Sequence, residues 1–120
     1  QSGVLSPTEG TVTESVSEFE DGSGFAGSSD GGGYGNHIVI TDANGNRLVL
    51  AHLAYTKTPL PVGSSVHVGQ QVGRIGQTGN SSGPHLHIGY INSGAGTPNI
   101  GSLFSATTIA LGFPACSAVE

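Results

Sequence analysis

The stretch NHIVITDANGNRLVLAHL, residues 36–53, limits the fold more than any other part of the chain. Two aliphatic runs, HIVIT and RLVLA, flank Ala-Asn-Gly, whose Asn and Gly take the positive φ of a tight turn at little cost. A hairpin is predicted. Both runs are apolar almost without interruption, where a strand wet on one side would alternate, so both strands are expected to be covered on both faces. Further strand-like runs are GTVTESVSE (10–18), SVHVG (65–69), QVGRIGQ (71–77) and PHLHIGYI (84–91). Helix signals are scarce: 21 glycines interrupt nearly every window with helical periodicity, and none starts on a cap. The reading is an all-β, compact antiparallel sheet domain, single over residues 1–120.

Composition excludes several partners. The net charge is -5, and Arg47, Lys57 and Arg74 are the only cations outside histidine. No basic stripe for nucleic acid or anionic lipid can be assembled from them. No apolar stretch reaches the roughly 18 residues that a membrane helix needs. The chain begins Gln1-Ser2-Gly3 without an initiator Met, which reads as a mature protein whose leader was removed or as a trimmed chain; secretion is the preferred expectation. Asn80-Ser81-Ser82 fits a glycosylation acceptor, and the single Cys116 forms no internal disulfide. The Gly/Ser stretch DGSGFAGSSDGGG (21–33) is longer than a hairpin needs, the length of a functional wall or a mobile loop. The tail GSLFSATTIALGFPACSAVE (101–120) contains an apolar run that is a candidate added strand.

The chemistry concentrates in GNSSGPHLHIGY, residues 79–90. In a strand, His85 and His87 would emerge on one face, as a metal or a reacting group requires. Taken in order, GGGYGNHIVITDANGNRLVLAHL and VGSSVHVGQQVGRIGQTGNSSGPHLHIGY resemble the lysostaphin-type (LytM-like) zinc metallopeptidases that cut peptidoglycan cross-bridges. Gly35-Asn36, Ala51-His52-Leu53, Gly69-Gln70, Ile75-Gly76, Thr78-Gly79 and Pro84-His85-Leu86-His87 fall in register, over about residues 4–90. The resemblance implies His87 as a zinc ligand, with His52 and His85 as catalytic histidines beside the metal. It also implies two further ligands from an HxxxD motif shortly before the strand VLSPTEGTV (4–12). Only three residues precede that strand, so the motif is not in this chain: either it lies outside, or the protein has lost it.

Three readings follow. The first is a secreted, non-catalytic domain that binds a glycan or cell-wall peptidoglycan fragment in the former peptidase groove, with no cofactor. Tyr34, Asn36, His52, His85 and His87 would line that groove and supply hydrogen bonds and an aromatic platform. The second is a zinc endopeptidase, with His87 and an improvised set drawn from His52, His85 or the loop carboxylates Asp21 and Asp30. The third is a structural or interaction protein with a blocked groove, pairing with another chain, a homodimer for instance, through its edges or the apolar tail 103–113. Against these, His37 is read as rim, His67 as solvent-facing, and Tyr55 and Tyr90 as packing or, alternatively, as lining a groove.

Overall fold

The computed structural model describes residues 3–91. The expected tail strand, Cys116 and the pairing surface of 103–113 lie outside those residues. The described residues form seven strands: β1 (Gly3–Leu5), β2 (Gly10–Val16), β3 (Asn36–Thr41), β4 (Arg47–Leu53), β5 (Ser65–Val66), β6 (Gln71–Arg74) and β7 (His87–Ile91). A five-stranded antiparallel sheet runs in the order β5-β2-β3-β4-β7, and β1 pairs with β6 as a separate ribbon. The only helical piece among the described residues is a 3-10 turn at Asp30–Gly33.

The central hairpin is buried on both faces, as its unbroken apolar runs require. One face carries Ile38 and Ile40 of β3, Leu48 and Leu50 of β4, and Ile88 of β7. These pack with Val12, Leu53 and Val66, and with Val4 and Val72 from the β1–β6 ribbon. The other face carries Val39, Val49 and Ala51, with Tyr34 against them. Burying a side chain such as Ile40 or Leu50 completely stabilises by about 1.5–3 kcal/mol. The hairpin turn is held by Asp42, whose Oδ1 accepts from the amides of Asn44 and Asn46, each at 2.9 Å, while Gly45 takes φ 83°.

Several strand ends differ from the sequence reading; QVGRIGQ stops at Arg74 and GTVTESVSE at Val16. VLSPTEGTV is two strands, because Pro7 has no amide hydrogen and Ser6 Oγ turns the chain by donating to the Thr8 carbonyl at 2.6 Å. SVHVG keeps only its first two residues in a strand, since Gly69 turns at φ 85°. PHLHIGYI enters its strand only at His87; His85 makes an isolated bridge to Gly76.

Candidate functional site: a histidine-lined pocket

The pocket stands on the Val39–Val49–Ala51 face of the sheet, and its construction begins with an irregularity in β4. Between the pairs Ile38–Leu50 and Asn36–Leu53, β3 advances two residues and β4 three. The additional residue is a bulge. His52 takes φ 62° there, the one non-glycine residue with positive φ among those described. Regular alternation would send His52 into the core beneath Leu50. The bulge turns it to the pocket side instead and returns Leu53 to the core. The Tyr34 carbonyl accepts the His52 amide at 2.9 Å, and the His52 carbonyl accepts the Gly76 amide at 3.1 Å, so the distorted residue is tied on both sides.

The walls are two loops that cross in backbone contact. A Cβ on Gly35 would lie 2.3 Å from the Thr78 carbonyl carbon, and one on Gly79 would lie 2.2 Å from the Gly35 nitrogen. Only glycine fits at either place. Thr78, fully buried, fastens the crossing. Its Oγ1 donates to the Leu53 carbonyl at 2.9 Å and accepts the Asn36 amide at 2.9 Å, and its carbonyl accepts from His52 Nδ1 at 2.7 Å. The Gly/Ser loop is the second wall, tied along 77–80 by the amides of Gly24 and Phe25 and by Gly27 on Asn80 Oδ1.

The resulting cavity, about 440 Å³, is lined by Ala26, Gly32, Gly33, Tyr34, His52, Asn80, Ser81, Ser82, His85 and His87. No Asp, Glu, Lys or Arg is among them. The ring centroids of His52 and His85 are 4.7 Å apart, His52 and His87 5.7 Å, and Tyr34 and His87 5.7 Å. His85 Nδ1 lies 2.9 Å from the Gly83 carbonyl and 3.2 Å from Ser81 Oγ, which itself donates to that carbonyl. A carbonyl only accepts, so His52 and His85 both carry hydrogen on Nδ1, and in the neutral ring Nε2 holds the lone pair.

Four of the five expected groove residues thus meet: Tyr34, His52, His85 and His87. Asn36 does not. It shares the core face with Ile38 and Ile40 and is buried. Its Oδ1 accepts the amides of Glu18 and Phe19, and its Nδ2 donates to the carbonyls of Phe19 and Leu53. Asn36 borders a different cavity, of about 360 Å³, with His37, Ser17, Thr56 and Arg74. His37 is not rim but buried, bonded to Glu14 and to the Gly35 carbonyl. Asp21 and Asp30 do not line the pocket. His67 is exposed near Glu9, and Tyr90 packs on the core side. Burial raises the Tyr90 phenol above its ordinary pKa; the charge and hydrogen bond of Asp42 add to this, and a hydrogen bond from Asn46 opposes it. Thr78, Ser81 and Asn80 were not singled out as site residues from sequence; their only signal was their place inside the TGNSS run.

Zinc, which the resemblance implies, needs three protein donors converging on one point. Among the described residues, no group of three or more His, Cys, Asp or Glu is arranged to hold a metal ion. Two of the three pocket imidazoles turn Nδ1 to backbone carbonyls, and no carboxylate joins them. The described residues therefore do not complete a zinc centre between themselves, and the improvised set of His52, His85 and His87 is not formed.

Together these features define a small antiparallel β-domain with a histidine-lined pocket. The chain belongs to peptidase family M23, whose model matches residues 1–98. It is 44% identical over 57 residues to the DD-carboxypeptidase/endopeptidase Mpg of Neisseria meningitidis serogroup B, covering 47% of this chain and 12% of that protein. It is 38% identical over 60 residues to the peptidoglycan DD-endopeptidase ShyA of Vibrio cholerae, covering 50% and 14%. The match thus spans about an eighth of either relative's length. Among solved structures, the catalytic domain of lysostaphin from Staphylococcus simulans superposes with a TM-score of 0.57 at 30% identity, covering 77% of this chain and 60% of that one. The catalytic domain of the M23 protein EnpA from Enterococcus faecalis does so at 0.60 and 24%, covering 78% and 61%, a likeness of fold.

Proposed function

We propose that this chain binds the peptide part of peptidoglycan in the histidine-lined pocket. The observation that carries the reading is the pair of Nδ1 locks on His52 and His85. They set one tautomer in two neighbouring rings and fix how each imidazole faces the pocket, giving a peptide a preset polar surface. Ser81, Ser82 and Asn80 add short polar groups, and Gly32 and Gly33 leave the wall without side chains, which suits a small-residue peptide. A sugar would need an aromatic face to stack on. Tyr34 is half-buried, set edge-on to His37 and tilted against His87, so a glycan is the weaker candidate. The names of Mpg and ShyA, both carrying endopeptidase, support a peptide ligand. Such a ligand places the working protein at the cell wall, outside the cytoplasmic membrane.

A second reading, hydrolysis of the bound peptide with zinc at His87, is favoured by the same tautomer lock, which readies two imidazoles to take up a proton. It requires metal donors beyond those the described residues bring together. Calorimetric titration with a peptide-bearing muropeptide and with the matching peptide-free glycan tests the first reading. Binding of the muropeptide alone, weakened at least tenfold in His85→Ala, is expected. Equal binding of both, or of neither, overturns it. Zinc bound at one per chain, lost in His87→Ala and accompanied by peptide cleavage, would establish the second.

A further inference from the structure

Behind the pocket lies a pair that neither reading uses. His37 is 4% exposed, and both its ring nitrogens meet oxygens: Nδ1 the Gly35 carbonyl at 2.8 Å, Nε2 the carboxylate of Glu14. The carbonyl only accepts, so Nδ1 carries hydrogen. The contact on the other side then needs one more proton, on Nε2 or on the carboxyl. Glu14 is 56% exposed, so the pair runs from solvent into the protein.

What it reaches is the base of the turn that forms one pocket wall. The Gly35 carbonyl is the group His37 holds, and the Gly35 amide donates to the Asp30 carbonyl at 2.9 Å. A Cβ added at Gly31 would meet the Phe19 ring at 3.3 Å and His37 Nδ1 at 3.7 Å, so the turn passes beside both rings. Tyr34 stands edge-on to His37 at 5.3 Å and 63°, leans on His87 at 5.7 Å and 32°, and accepts the His52 amide through its carbonyl. We infer that Glu14 and His37 are a positioning pair: they fix the 30–35 turn and thereby hold Tyr34 against His87 in the binding-competent arrangement. Glu14 touches nothing in the pocket and acts only through His37. The inference rests on the pocket being the peptide site.

The test compares Glu14→Ala with Glu14→Gln, each alone and with Tyr34→Ala. Readouts are NOEs between the Tyr34 and His87 rings in the ligand-free protein and the Kd of the peptide-bearing muropeptide. Glu14→Ala is expected to lose the NOEs and weaken binding about three- to tenfold, a usual size for coupled neighbours. Glu14→Gln, whose amide can donate to a neutral Nε2, should retain both. In the Tyr34→Ala background, Glu14→Ala should have no further effect on Kd, whereas a role in stability alone would shift Tm without this dependence. Unchanged NOEs in Glu14→Ala, or an undiminished Kd effect without Tyr34, would overturn the inference. If the wild-type chain does not bind the muropeptide, the functional reading fails, and the NOEs alone still decide the positioning role.

Discussion

At the scale of single residues, His52 holds a conformation its side chain disfavours, because the bulge that aims the ring requires it. His52→Ala and His52→Gly both remove the imidazole and its bond to Thr78, but only glycine accepts φ 62° without strain. The glycine variant should therefore be more stable than the alanine variant by about 1 kcal/mol in urea unfolding, with the pocket's binding lost in both. Tyr90 offers a second test. Its folded-state pKa is raised, so the stability it contributes is complete below the unfolded value near 10 and is lost as pH climbs through the folded value. Absorbance titration should show a tyrosine that ionises above the ordinary value near 10, and Asp42→Asn should lower its pKa. Sequence reading reached His85 and His87 because their motif is local, and His52 through the resemblance carried by Ala51-His52-Leu53. It misplaced Asn36, whose partners Phe19 and Leu53 lie 17 residues away on either side, and read His37 as rim because Glu14 is 23 residues off.

Among the elements, the strands were legible wherever the apolar period was long, and their ends were not. The hairpin of β3 and β4 followed from residues 36–53 almost to the residue. The bulge at His52 left no mark, since one additional residue in RLVLAHL reads as continued strand. The loop crossing was equally hidden: Gly35 and Gly79 look like any turn glycines until the two backbones are seen to touch. Gly35→Ala has to displace the Thr78 backbone as well as adopt φ 61°, and should cost about 2–4 kcal/mol and open the pocket. Gly63→Ala, with φ 97° but open space around it, should cost about 1 kcal/mol and leave muropeptide binding intact. Chemical denaturation of the two variants separates steric contact from backbone strain.

At the scale of the whole molecule, a chain of net charge -5 lines its pocket with no Asp, Glu, Lys or Arg among the described residues. Muropeptide affinity should therefore change less than about twofold between low salt and 0.5 M, where charge-driven binding would fall steeply. A steep fall would place the binding surface elsewhere. The order β5-β2-β3-β4-β7 has a further consequence. Tyr34 precedes β3, His52 ends β4 and His85 precedes β7, so no hairpin by itself contains the pocket. A partly folded chain does not present this pocket to a ligand. Any ligand seated there draws only on the finished sheet, and at a hundred times its Kd would stabilise the chain by about 2.7 kcal/mol. That stabilisation would protect distant β5 against proteases as strongly as the pocket wall, making the wall fragment an inspector of completed folding.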